Sequence, residues 1–212
     1  MKMPRRTNSN NNNTLVSFHI LTKRESNYGQ AKSRRLCIFL DHQPRQSSSG
    51  WASQWYPASF TVVVTIGGSA KEVTFPSTEH WMMFQKALLF DDEAIAREVM
   101  ASNGTSKADM AYVKSLGRKV KNFDDETWKL HRERIVFEGN LHKFRQHAEL
   151  RSKLLATGKK EIVEASPRDK IWGIGYSEQA AILKSGWGLN LLGKSLVQVR
   201  EALKKEDAAG RG

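Results

Sequence analysis

FTVVVTIGGSAKEVTFPSTEHWMMFQKALLF, residues 60–90, changes its period half-way along. Phe60 to Ile66 is β-branched and strand-like, Gly67-Gly68 marks a turn, and Lys71 to Phe75 can return as a hairpin partner. Pro76 ends the strand pattern, and Ser77 or Thr78 can cap a helix running to about Phe90. Apolar side chains then occupy almost every direction around that helix. Trp81, Phe84 and Leu88 form one stripe, Met82 and Leu89 another, and Met83, Ala87 and Phe90 a third. A helix that is apolar nearly all round is buried. Glu79 and Lys86, seven residues apart, nevertheless share a stripe, roughly 10 Å apart along the axis. Ionisable groups on a buried helix are unfavourable unless paired or functional, so this stripe meets either solvent or a site.

Working outward, Leu36 to Leu40 reads as a first buried strand and Gln43 to Gly50 as a Ser-rich loop. Ile95 to Met100 continues helically, Asn103-Gly104 breaks the pattern, and Ser106 with Asp109 resembles a capping box. A long helix is predicted from about Asp125 to His147, with Phe137, Leu141, Phe144 and Ala148 as one buried stripe. Leu150 to Ala156 extends it, and Thr157-Gly158 stops it. Ile162-Val163 reads as a short strand, Pro167 to Gly193 as mostly loop, and Leu196 to Leu203 as the final helix. The fold expectation is α+β, predominantly helical, with a small β-sheet from the N-terminal third. Residues 36–205 form the domain, between a disordered, basic, Asn-rich segment at 1–35 and a short tail at 206–212.

The 212 residues suit one domain with tails, and six Trp and nine Phe supply a core. The lone cysteine, Cys37, excludes a disulfide within the chain. No apolar run approaches the ~18 residues of a membrane span, and no signal peptide is apparent. Partners therefore exclude a membrane. A cytoplasmic address is the reading, with mitochondrial or nuclear as alternatives. The net charge of +12 taken alone points to nucleic acid or another anion. Yet residues 1–35 hold eight Lys/Arg against one acid, Glu25, so the body is only mildly basic.

Two further segments bear on chemistry. In Glu164 to Gly175 (EASPRDKIWGIG), Asp169 stands three residues before Trp172 in a Gly-flanked loop. That places acid–base chemistry beside a stacking surface, or else makes a Pro-Arg-Asp turn leading into a core Trp. Gly188 to Ser195 (GLNLLGKS) satisfies the P-loop pattern. Only 17 residues follow Ser195, leaving no room for the remaining sheet, and Leu-Asn-Leu-Leu is bulky for a phosphate cradle. A P-loop ATPase is rejected, although a Gly-rich loop opening a helix can still offer N–H groups to a phosphate. The six His are scattered and no H-E-x-x-H occurs, so neither a metal nor a cofactor is called for.

Taken in order, several stretches resemble the NADAR family, also called YbiA-like: Ser53-Gln54-Trp55-Tyr56-Pro57, Pro76 to His80 through Gln85-Lys86-Ala87, Leu116-Gly117-Arg118, Trp128, Lys143-Phe144, Leu154 to Gly158, Glu164, Asp169 with Trp172 to Gly175, and Trp187 to Gly193. The resemblance covers about residues 36–205. It implies N-glycosidase activity on a ribosyl C–N bond, in phosphoribosylaminopyrimidine intermediates of the riboflavin pathway or in ADP-ribosylated guanine. The implied partners are thus a phosphorylated ribosyl small molecule or an ADP-ribosylated nucleobase, with nucleic acid reached through the substrate or the basic segment. Glu79, Lys86 and Asp169 become the candidate catalytic residues. Ser53, Gln54, Trp55, Met83, Arg118, Trp128, Trp172, Asn190 and Gly193 become candidate substrate contacts. Gln54-Trp55 and Met83 depart from the family's usual Asn-Phe and Gln. For Lys86 three roles stay open: a desolvated amine nucleophile, a charge that holds a phosphate or orients Glu79, and a snorkelling surface lysine. The rival class is a binding module without activity, relying on the basic segment for salt-sensitive phosphate contacts.

Overall fold

The computed structural model describes residues 35–39 and 50–210. Leu40, the Ser-rich stretch from residue 43 to 49 and the basic segment before Arg35 lie outside the described residues. Strands β1 (Leu36–Phe39), β2 (Phe60–Ile66), β3 (Ser69–Phe75) and β4 (Glu161–Glu164) accompany seven helices: α1 (Thr78–Leu89), α2 (Glu93–Ala101), α3 (Lys107–Lys119), α4 (Asp125–Gln146), α5 (Ala148–Ala156), α6 (Glu178–Leu183) and α7 (Leu191–Ala209). The α+β class stands.

The hairpin forms as its pattern dictates. Gly67 and Gly68 take φ of +57° and +73°, the left-handed pair that a tight two-residue turn needs. Phe60 opposes Phe75 in the β2–β3 register, and both lie against Trp81. The sheet itself differs from the expectation. The described strands make two two-stranded sheets, and β1 pairs in parallel with β4, Leu36 beside Glu161 and Phe39 beside Glu164. The partner of β1 lies more than a hundred residues away, where no local pattern can announce it.

Helix α1 is the hub. Ser77 caps it, its Oγ accepting from the His80 N–H and meeting His80 Nδ1 at 2.8 Å. Thr78 to Phe84 and Ala87 are all buried, because α2, α3, α4 and the hairpin surround the helix. The Ser106–Asp109 capping box opens α3. Several boundaries shift from the sequence reading. Asp92 caps α2 as a helix of its own rather than a continuation. His147 is non-helical and separates α4 from α5. Residues 167–193 contain the short α6. Helix α7 starts at Leu191 and continues through Ala209, so most of the expected 206–212 tail is helical. Glu206 and Asp207 fix that last turn by ion pairs to Arg145 and Arg151.

The buried stripe expected on α4 is also displaced. Phe144 is fully buried, but Phe137 and Leu141 are only half-buried and Ala148 is exposed. The buried face consists of Ile135, Val136, Gly139, Asn140, Lys143 and Phe144. Gly139 makes room for the Trp81 ring, which a Cβ would meet at 2.3 Å, and Asn140 and Lys143 hold a backbone turn, as described next.

Candidate active site

A cleft of about 250 Å³ opens between α1, α3, the start of α4 and the loop after β4. Helix α1 contributes Glu79, Met82, Met83 and Lys86 at positions i, i+3, i+4 and i+7, one continuous helix face. Helix α3 contributes Lys114, Gly117 and Arg118 by the same spacing. Trp128, Glu164, Asp169, Trp172, Leu192 and Gln54 complete the wall. The shared stripe of Glu79 and Lys86 therefore faces a cleft, with Glu79 only 2% exposed.

Lys86 and Asp169 are each held from behind. Lys86 donates to the Gly117 carbonyl at 2.7 Å, with its Nζ 4.1 Å from the Phe123 ring centre and 5.5 Å from that of Trp128. Burial lowers the Lys86 pKa, and the neighbouring Arg118 charge lowers it further. A Cβ at Gly117 would fall 1.9 Å from Met83 Sδ, so any side chain there would have to displace Met83. Asp169 Oδ1 accepts from the N–H groups of both Ile171 and Trp172 at 2.8 Å, which sets the direction of the Trp172 loop. Glu164, 1% exposed, ends β4. Its N–H donates to Asn190 Oδ1 and its carbonyl accepts from Ile174. The three carboxylates do not converge into a cation site. Among the described residues no group of three His, Cys, Asp or Glu is placed to hold a metal.

Gln54 reaches the cleft from a turn clamped by α4. Asn140 Nδ2 donates to Gln54 Oε1 at 2.9 Å, which orients the amide. Lys143, fully buried, donates to the carbonyls of Trp51 at 2.8 Å and Ser53 at 3.2 Å, and lies 5.4 Å from the Tyr56 ring. Burial alone lowers its pKa to about 7. The Gln54 carbonyl in turn accepts from the Glu79 N–H at 3.1 Å and from Thr78 Oγ1. The turn, the start of α1 and the buried face of α4 form one hydrogen-bonded unit that fixes Gln54 and Glu79.

The structure thus brings together Glu79, Lys86, Asp169, Gln54, Met83, Arg118, Trp128 and Trp172 from the sequence reading. Four expected substrate contacts lie elsewhere. Ser53 is fully buried, its Oγ accepting from the Trp55 N–H. Trp55 is buried behind Lys114, whose Nζ lies 5.8 Å from its ring centre. Asn190 clips α7 to β4 through Ile162 and Glu164, and Gly193 packs so tightly that a Cβ would strike the Ile162 carbonyl at 2.0 Å. The N–H groups of Leu191 and Leu192 are taken by the carbonyls of Ile171 and Trp172, so the start of α7 offers little backbone to a phosphate.

With acids, an amine, an amide and two indoles around one opening, the cleft can stack a planar base and stabilise a cationic sugar carbon. The NADAR domain model matches residues 38–204. The chain belongs to the NADAR family. It is 45% identical over 152 residues to N-glycosidase R617 of Acanthamoeba polyphaga mimivirus, covering 70% of this chain and 85% of that protein. Its fold is similar to the NMR structure of Escherichia coli protein YbiA, with a TM-score of 0.61, 26% identity, and coverage of 82% of this chain and 87% of that one. It is also 31% identical over 156 residues to riboflavin biosynthesis protein VVA0006 of Vibrio vulnificus, spanning 74% of this chain but only 36% of that protein.

The sequence reading did not single out Met82, Lys114, Gly117, Glu164 or Leu192 as site residues of this NADAR domain. Lys114 was readable, since it stands four residues before Arg118 on a helix. Glu164 and Gly117 stand in stretches that match the family, but the match alone assigned them no role in the site. Leu192 stands in the matching Trp187 to Gly193 stretch without a role assigned, and Met82 carries no signal that separates it from core.

Proposed function

We propose that the cleft hydrolyses an N-glycosidic bond between a ribosyl carbon and a base nitrogen. The chain is a hydrolase acting on N-glycosyl bonds, in keeping with the N-glycosidase relatives. One observation carries the reading to this cleft: Glu79, Lys86 and Asp169 line a single opening together with Trp128 and Trp172. In this scheme the two indoles flank the base or ribose, and Arg118 and Lys114 face the phosphate. As the C–N bond lengthens, the bond's electron pair leaves with the base nitrogen. Positive charge grows on the sugar carbon beside Glu79 and Asp169, one of which activates water. The substrate is a phosphoribosylaminopyrimidine or an ADP-ribosylated guanine. The Vibrio relative's name favours the first.

The lowered pKa of Lys86 favours a covalent variant. The neutral amine attacks the sugar carbon, the base departs with the bond's electrons and gains a proton, and the sugar ring opens to an imine. Water then hydrolyses the imine and frees the lysine. Incubation with a phosphoribosylaminopyrimidine and with ADP-ribosylated guanosine, followed by chromatography, should release ribose phosphate or ADP-ribose from one of them. Release from neither above a heat-inactivated control overturns the reaction class. Borohydride added during turnover should leave a ribosyl adduct on Lys86 if the covalent route operates. An active enzyme without that adduct leaves the carboxylate–water route.

A further inference from the structure

We propose that a second hollow, on the far side of the β4–α7 seam, is a binding site for phosphate groups. This rests on no assumption about the cleft. The hollow measures about 450 Å³ and lies between the turn after α5, the start of β4 and the first three turns of α7. Its wall carries Lys159, Lys160, Lys194 and Arg200 against one carboxylate, Glu161. The cleft balances three cations with three acids, whereas the hollow keeps a positive excess from its three lysines even with Arg200 paired to Glu201. Such a wall attracts an anion and has little with which to catalyse.

Arg200 gives the hollow a fixed centre. It is 4% exposed, and its Nη1 donates to Thr157 Oγ1 and to the Lys160 carbonyl, both at 2.8 Å. Its Nε donates to Glu201 at 3.1 Å. These bonds set the plane of the guanidinium and leave Nη2 without a hydrogen bond among the described residues. A buried, pre-oriented guanidinium with an unused donor binds an oxyanion without first losing side-chain freedom. Lys159, Lys160 and Lys194 line the hollow and form no ion pair among the described residues. By contrast, Lys129, Lys153 and Lys204 are each matched by a carboxylate. With the first backbone N–H groups of α7 already engaged, side chains hold the anion. Several closely spaced cations suit the dense charge of phosphate better than a single carboxylate.

Two sources share this chemistry, a small phosphorylated molecule and the backbone of a nucleic acid. The glutamate Glu161 at the rim donates its N–H to the carbonyl of Arg35, where the basic segment of the sequence joins the fold. The test is an amide-resolved NMR titration of the full chain with sodium pyrophosphate and, separately, with a short single-stranded oligonucleotide. Saturable shifts at Lys160, Ile162, Gly193 and Lys194 are expected. Shifts with pyrophosphate alone identify a compact ligand. Shifts with the oligonucleotide, weakening as salt rises, identify a backbone. Lys160→Glu combined with Lys194→Glu changes two exposed positions and should weaken the effective probe at least about tenfold, while Glu79→Gln leaves it unchanged. Shifts absent with both probes, or affinity unaltered by the double reversal, overturn the proposal.

Discussion

Two lysines project from buried helix faces, Lys86 on α1 and Lys143 on α4, and only Lys86 reaches the cleft. Both lose basicity through burial and both donate to backbone carbonyls, but their surroundings differ. Lys143 spends its donors on two carbonyls of the turn that carries Gln54 and is sealed from solvent. Lys86 makes one bond, to Gly117, and stands half-buried among cleft-lining side chains. A depressed pKa therefore does not identify a reactive amine. Access to a cleft that holds acids and stacking surfaces makes Lys86, and not Lys143, the candidate for chemistry.

The sharpest way to break this comparison is to remove each amine. Lys86→Ala should lower kcat by about a hundredfold or more with little change in Tm, the size typical for a lost acid, base or electrostatic partner. Lys86→Arg separates charge from nucleophilicity. Activity near that of wild type would exclude the covalent route, and normal activity in Lys86→Ala would remove Lys86 from the mechanism altogether.

Lys143→Met should act on stability first. It strands the buried Trp51 carbonyl and takes one of two donors from the Ser53 carbonyl, which keeps the Tyr56 N–H, a loss of about 2 kcal/mol at alkaline pH. The folded state sheds the Lys143 proton near pH 7, whereas the unfolded chain keeps it until about 10.5. The unfolded chain thus binds more protons across that window, and wild-type stability should rise with pH through it. Denaturant unfolding at several pH values checks both points. The penalty in Lys143→Met should be larger at pH 9 than at pH 6, and the same penalty at both would show that Lys143 titrates normally.

A smaller effect is expected from Gly117→Ala. The new methyl must displace Met83 into the cleft, so KM should rise several-fold while Tm shifts by only a few degrees. An unchanged KM would show that Met83 does not shape the bound substrate. The smallest effect at neutral pH belongs to His80, fully buried on α1 away from the cleft. Burial holds its pKa down to about 4 despite the pull of Asp109. Its stabilising contribution is complete above about 6.5 and declines as pH falls towards 4, because there the unfolded chain takes up the proton first. His80→Gln should flatten that acid limb and leave activity at neutral pH nearly unchanged.

Much of this was readable where one element determines the outcome. The hairpin follows from Gly67-Gly68, the caps of α1 and α3 from Ser77 and Ser106, and the Glu79–Lys86 stripe from seven-residue spacing. What escaped depends on distant partners. The pairing of β1 with β4 joins Leu36 to Glu161, far beyond the reach of any local pattern. The buried face of α4 is polar because Asn140 and Lys143 bind a turn some ninety positions earlier, so apolar periodicity pointed to the wrong side. Asn190 and Gly193 stand in a matching motif but brace β4, and a motif does not distinguish a residue that touches substrate from one that supports its neighbour.

The central claim is that the cleft breaks a ribosyl C–N bond with its carboxylates, and Glu79 tests it most directly. Wild type and Glu79→Gln should be compared under single-turnover conditions on whichever ribosyl substrate is cleaved, with Tm measured on both. The amide keeps the shape and removes the charge. A rate reduced by about two orders of magnitude or more at nearly equal Tm is the predicted result. A Glu79→Gln enzyme that cleaves at the wild-type rate would contradict the account.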